Sequence, residues 1–506
     1  MNIRRETEQN TLPVAVVIAA LLAYVFHLLR YVHNDIWGSI YSVYYPFLIP
    51  VLIAFTVYFR WGKWKKEEKL FLLFAVWVYI SRLLNGDFFL ANDADIVLNT
   101  GLSYVFVVIC IALNRESRER FLDGISILTS GYFTLLSLLG LYAWLLRREL
   151  YNPLTGEILC TFEGGWMCRL VLFWKSSNEV ALWFFLSLCL LVYLFLRKKT
   201  LYWRIPILLA AIPNYLALTV TYCRSARLAA TVSFALLLLL FLLNRLPRRR
   251  GTRLLAGLAC MAITAPLIYA SFNTVAAGMQ DWAAYLADSA QKAYNAETVE
   301  GSEVSPITAW IINDNAVPLT ATGNTKNPVE QLAVMPTVVS IGNNGVNTAM
   351  KAEPLSGMKD DRGFNASGRL EIYKSIIPTM RQEPLRLLRG CLCKDVMKIA
   401  NPLLPNFKPH FHNTFLQALC LTGLPGLLLI LVFCGLLAVR IIRLFFSEAP
   451  VEVKSLTLVL IGSFIYNMLE VSLFFAADTR AFVAYIVAGA VLAYSHEGEQ
   501  DCCPAE

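Results

Sequence analysis

Long apolar stretches alternate with short polar ones along most of this chain. Most are close to the roughly 20 residues that an α-helix needs to cross about 30 Å of hydrocarbon. The pattern predicts membrane-spanning helices near 12–32, 44–60, 69–85, 95–113, 124–146, 178–196, 205–223, 226–244, 253–271, 413–439, 455–475 and 480–495. The second carries Pro46 and Pro50, and the fourth begins in a mixed stretch around Asp95. The first run is long and lacks the small-residue cleavage site of a secretory signal, so it reads as a span. The expected fold class is an all-α integral membrane protein of about twelve transmembrane helices, with one large external loop containing amphipathic helices.

That loop is where the rhythm fails. From Ser271 to about His412 no run is long enough to span, and polar residues, Gly, Pro and Asn dominate. The expected organisation is helices one to nine over 1–271, a large extracytoplasmic loop over 272–412, helices ten to twelve over 413–495 and a cytoplasmic tail over 496–506. The first two thirds of the loop read as irregular, with turn formers around a short apolar run at 327–350. From Ser367 the texture changes. Leu370, Tyr373, Ile376 and Ile377 fall at helical spacing, and Pro378 should kink or end that helix. A second amphipathic piece is expected after Pro384. Such helices suit a headgroup-level surface or a lid over a membrane site.

Cation placement gives the orientation. With Arg4 and Arg5 inside, the inner connections read RWGKWKKEEK at 60–69, NRESRER at 114–120, RKKTLYWR at 197–204 and RLPRRRGTR at 245–253. The last inner connection carries Arg440, Arg443 and Lys454. The outer connections at 33–42 and 85–95 lack this cation excess, whereas the one near 147–177 holds Arg147, Arg148, Arg169 and Lys175. The net charge of +8 is therefore mostly topological and implies no nucleic-acid partner.

Composition agrees with that picture. Hydrophobic residues make up 57% of the 506 positions and charged residues 16%, against roughly 45–50% and 25% in soluble globular chains. Most of the twelve cysteines sit in predicted spans and read as packing residues. Cys160 and Cys168 share an outer loop and could pair in an oxidising compartment. Neither zinc-site spacing nor a nucleotide-binding glycine loop is present, so no cofactor and no metal is expected.

Three positions stand out at the predicted outer face. Arg224, with Arg227 one turn later, lies at the junction of the seventh and eighth spans in TVTYCRSARLAA. Arg369 lies in the loop, in SGRLEIY. His412 opens the tenth span beside Asn413 and near His410, in a chain with only five histidines. Singly, each has a plainer explanation: headgroup snorkelling, a solvated loop arginine, a helix cap. Together they come from three segments onto one membrane face. Guanidinium forks match phosphate oxygens, and an imidazole can take a hydroxyl proton near neutral pH.

The stretch HNTFLQALCLTGLPGLLLILV resembles the His-Asn signature of the O-antigen ligase and O-antigen polymerase superfamily, in which a Gly-x-x-Gly follows. SGRLEIY resembles its Gly-Arg motif, and YCRSARLA its Ser-Arg element, with Cys223 where serine is usual. SSNEVALWFFLSL at 176–188 is similar to an Asn-containing earlier helix, and YNMLEVSLFF at 466–475 to an acidic late helix. The loop between Ser271 and Gly368 is longer than that pattern.

The resemblance implies a metal-independent, inverting glycan transferase of the bacterial cytoplasmic membrane, with both termini cytoplasmic and the active site outside. Its donor would be an undecaprenyl-diphosphate-linked glycan and its acceptor a glycan or lipid-linked hydroxyl, within membrane lipid. Arg224 and Arg369 would hold the diphosphate, His412 would activate the acceptor, and Arg227, Asn413 and His410 would assist binding. Lipid-core ligation, repeat-unit polymerisation and transfer to protein Ser or Thr all stay open. The competing class is a transporter or flippase of lipid-linked oligosaccharide, which would carry ionisable groups near the bilayer midplane. Glu470 is the deepest acidic candidate for that reading.

Overall fold

The computed structural model describes residues 12–30, 34–86, 91–146, 150–151, 158–163, 169–172, 177–245, 250–299, 383–393, 411–472 and 479–502, with the isolated positions 376, 378, 380 and 395. Nearly all of it is helix. In chain order these are α1 (Val14–Arg30), α2 (Asn34–Arg60), α3 (Lys66–Leu84), α4 (Ala91–Ala112), α5 (Arg115–Leu145), α6 (Ser177–Arg197), α7 (Leu201–Val220), α8 (Arg224–Arg245), α9 (Arg250–Val299), the short α10 (Leu385–Arg389), α11 (Thr414–Phe446), α12 (Val451–Asn467) and α13 (Thr479–Cys502). Leaving α10 aside, each overlaps one apolar stretch of the sequence. Among the described residues, seven are long and apolar enough to cross a membrane. The protein is a helical membrane protein.

The centre of the bundle is α4, α6 and α13. Val105 to Cys110 are all fully buried, as are Phe184, Phe185 and Leu186 on α6 and Phe482, Val483 and Ile486 on α13. A small residue lets α13 approach α4: a Cβ on Gly489 would lie 2.5 Å from the Val107 carbonyl oxygen. Without water to drive association, such close backbone packing is a main source of helix adhesion in lipid. The outward residues of α9, including Leu255, Leu258, Ile263 and Leu267, are exposed and apolar, as a lipid-facing surface requires.

One end of the bundle is laced by charge. Arg60 pairs with Glu68 at 2.9 Å and Arg440 with Glu67 at 3.0 Å. Arg118 reaches Glu497, and Arg197 reaches Glu119. These residues come from the connections that the cation count assigns to the inside. They gather the ends of α2, α6, α11 and α13 and the starts of α3 and α5 on one face. Helix α13 continues through the expected tail as far as Cys502.

Three features depart from the sequence expectations. The connection between α5 and α6 holds a small antiparallel sheet, β1 (Leu150–Tyr151), β2 (Ile158–Glu163) and β3 (Arg169–Leu172), ordered β1-β2-β3. In it Cys160 stands opposite Leu172 and Glu163 opposite Arg169, and the Leu170 and Leu172 side chains close over Gly140 of α5. Helix α9 does not stop at residue 271 but runs on to Val299 as one helix of 50 residues. At 1.5 Å per residue it is about 75 Å long, more than twice the hydrocarbon thickness. The start of the expected irregular loop is therefore a helical mast. Positions 376, 378 and 380 are helical, so the helix does not end before Pro378, while α10 begins directly after Pro384 as expected.

Helix α11 is broken near its start, at Gly423, where φ is 68°. Pro425 has no N–H for the Leu421 carbonyl, so the break leaves backbone acceptors that need other donors. They find them in other segments. Cys391 N donates to the Cys420 carbonyl at 2.8 Å, Trp77 Nε1 donates to the Thr422 carbonyl at 2.7 Å, and Ser81 Oγ lies 3.1 Å from the Leu421 carbonyl. The returning end of the long loop is thus docked, through α10 and Cys391, onto α11 and α3.

Candidate active site

His412 sits directly before α11, and its neighbour Asn413 is the cap that starts the helix. The Asn413 side-chain oxygen accepts from Phe415 N at 3.0 Å and Leu416 N at 3.1 Å, satisfying two donors that no helical carbonyl can reach. Its amide group donates to the Met468 carbonyl at 3.1 Å, tying this start to the end of α12. Gln417 reaches back to accept from Phe411 N at 3.2 Å. One turn of helix therefore fixes the backbone on both sides of the imidazole.

The imidazole itself is oriented from α12 and α6. His412 Nδ1 lies 2.9 Å from Glu470 Oε2, and Asn178 Nδ2 donates to Glu470 Oε1 at 3.0 Å. Both oxygens of one buried carboxylate are thus engaged, one by each neighbour. The surrounding polar groups hold this pair in place. Tyr466 donates its hydroxyl to the Asn178 carbonyl at 2.7 Å, and Thr414 donates to Asn467 Oδ1 at 2.7 Å. Arg480, at the start of α13, donates to the Glu179 carbonyl at 2.9 Å. Buried polar groups are expensive unless each finds a partner, and here four helix ends supply the partners to one another.

The corner between α7 and α8 completes the face. Thr221, Tyr222 and Cys223 separate the two helices, and Arg224 begins α8 with its side chain exposed. Cys223 is buried beside Ser225, 3.2 Å from its Oγ. Burial pushes the Cys223 thiol up to about 11, and the Glu470 carboxylate is near enough to add to that rise. A thiol so held is a packing group rather than a nucleophile. Tyr222 and His412 are the two non-glycine residues with positive φ among the described residues, at 53° and 52°. Each precedes a helix start on this face. Holding an L-residue there costs on the order of 1–3 kcal/mol, and such conformations collect where a site must aim a side chain.

The expected site residues separate in the structure. His412 and Asn413 stand at the centre, and Arg224 stands on the same face. Arg369 and His410 lie outside the described residues. Arg227, expected to bind substrate, is buried: it donates to Asn273 Oδ1 at 2.9 Å and to the Thr219 carbonyl, with its guanidinium 4.9 Å from the Tyr222 ring centre. Glu470 and Asn178 were not among the expected site residues, although both lie in segments that the resemblance had marked. Their signal was an acidic side chain and an amide at helix ends on the predicted outer face. Among the described residues, no group of three or more His, Cys, Asp and Glu side chains is placed to hold a metal ion.

Residues 206–431 match the O-antigen ligase family model, a range that takes in α7, α8, α9, the loop, His412 and the broken start of α11. No curated protein matches the chain.

Proposed function

We propose, for a chain whose residues 206–431 match the O-antigen ligase family model, that the His412 face transfers a glycan from an undecaprenyl-diphosphate carrier to an acceptor hydroxyl. The observation that carries this reading is the Asn178–Glu470–His412 relay at the start of α11. With Glu470 ionised, its oxygen accepts the Nδ1 proton, and the imidazole presents the lone pair of Nε2 as a base. The acceptor hydroxyl gives its proton to Nε2 as its oxygen attacks the anomeric carbon. The bond from that carbon to the diphosphate breaks, and its electrons leave with undecaprenyl diphosphate. Attack from the face opposite the leaving group inverts the anomeric centre.

Arg224 offers an exposed guanidinium for the negative charge that grows on the departing diphosphate, and Arg369 is assigned the same task from the loop. The carrier diphosphate is already an activated leaving group, so neither nucleotide nor metal is assigned a role. About twelve helices cross the bilayer in this reading. The charge-laced end is cytoplasmic together with both termini, and the His412 face looks outward from the cytoplasmic membrane of a bacterium. A transporter would concentrate its ionisable groups at mid-bilayer, whereas the ion pairs among the described residues lie at helix ends and in loops.

The test is reconstitution. Purified protein in liposomes receives a lipid-diphosphate-linked glycan together with a lipid core, a second carrier-linked unit or a Ser/Thr peptide. Transfer to one of these, with release of undecaprenyl diphosphate and indifference to chelator, is the expected result. Movement of intact donor across the bilayer without transfer would instead make the protein a transporter.

A further inference from the structure

The mast formed by α9 beyond residue 271 touches the active-site corner at two places. Gln280 Nε2 donates to the Tyr222 hydroxyl at 3.0 Å, and Asn273 Oδ1 accepts from Arg227 at 2.9 Å. Asn273 and Gln280 are two helical turns apart, so they lie on one face of α9. Phe272, Ala276, Met279 and Ala283 are buried along that part of the helix, whereas Trp282 and Tyr285 are exposed. The two contacts converge on a single unit, because the Arg227 guanidinium lies over the Tyr222 ring and also donates to the Thr219 carbonyl at the end of α7. Between these tied residues, with only Cys223 intervening after Tyr222, stands Arg224.

We propose that Asn273 and Gln280 are positioning residues for Arg224: the mast clamps the α7–α8 corner, and the clamp holds the Arg224 guanidinium where the donor's diphosphate binds. Tyr222 is the element that makes this necessary. Its left-handed backbone is unfavourable for a bulky residue, and it persists only where its surroundings over-determine it. The Gln280 hydrogen bond on its hydroxyl and the Arg227 cation over its ring are two such constraints on one side chain. This proposal rests on the reading of Arg224 as a diphosphate contact.

The experiment compares Tyr222→Phe, Gln280→Ala, the double variant and Asn273→Ala with wild type in the liposome transfer assay, with Arg224→Ala as the control. Loss of one hydrogen bond between Gln280 and Tyr222 should raise the KM for the lipid-diphosphate donor about threefold to tenfold. The acceptor KM should not change. Tyr222→Phe and Gln280→Ala should not add, because each removes the same bond. Asn273→Asp, which keeps the acceptor for Arg227, should restore what Asn273→Ala loses. Donor KM unchanged in all brace variants, with Arg224→Ala impaired, would overturn the clamp while leaving Arg224 in place. Wild-type donor KM in Arg224→Ala would overturn the underlying reading instead. Equal losses for donor and acceptor, following only the amount of folded protein, would reduce the brace to a structural tie and also refute the proposal.

Discussion

His412 Nδ1 lies 2.9 Å from Glu470 Oε2, across 58 residues of chain. That relationship makes a prediction that separates orientation from binding. Glu470→Gln keeps the size of the side chain but loses the charge that stabilises the imidazolium as it forms. We expect kcat to fall by about tenfold to a hundredfold, with little change in the donor KM. Asn178→Ala, which removes the donor to Oε1, should cost less, and its effect should not add to that of Glu470→Gln. Steady-state kinetics of the two variants and their combination check this.

Arg224→Lys tests whether a planar fork is needed. Lysine keeps the charge but cannot offer two parallel N–H donors to one phosphate group. The expected outcome is a loss of donor affinity approaching that of Arg224→Ala. A fully active Arg224→Lys would remove bidentate diphosphate binding from the account.

The docking of the loop onto α11 is testable without any substrate. A Cβ at Gly390 would lie 2.1 Å from the Leu421 carbonyl oxygen, and one at Gly423 would lie 2.4 Å from the Leu388 carbonyl oxygen. Both glycines also have positive φ, at 73° and 68°. Gly423→Ala and Gly390→Ala should each destabilise the protein by about 1–3 kcal/mol. The measurement is thermal unfolding in detergent, with Gly435→Ala, where a Cβ meets nothing within 4 Å, as the neutral comparison.

Cys223→Ser should keep transfer activity. The thiol is buried, its ionisation is held near 11 and its contact is the Ser225 hydroxyl, none of which suits a nucleophile. A variant that loses turnover while remaining folded would require a chemical role for the sulfur.

The apolar helices were legible because crossing hydrocarbon demands a continuous apolar run, and seven of those described are long and apolar enough to cross. The mast was not. Residues 272–299 are rich in alanine and polar side chains, so they fail as a span while still favouring helix. The sheet at 150–172 escaped because its strands are two to six residues long and alternate too briefly to show a period. At the site, the His-Asn start of α11 could be read directly, since a cap and its helix are neighbours in sequence. The pairing of His412 with Glu470 could not. Nor could the hydrogen bond that holds Arg227, because its acceptor, Asn273, is 46 residues away on the mast.

His412 is the proposed base. Release of undecaprenyl diphosphate from a lipid-linked glycan, measured with acceptor present at equal amounts of folded wild-type and His412→Ala protein, tests it most directly. The expected result is a rate lower by a factor of about 10²–10⁴ in the variant, with donor binding retained. Release at the wild-type rate from His412→Ala would contradict the assignment.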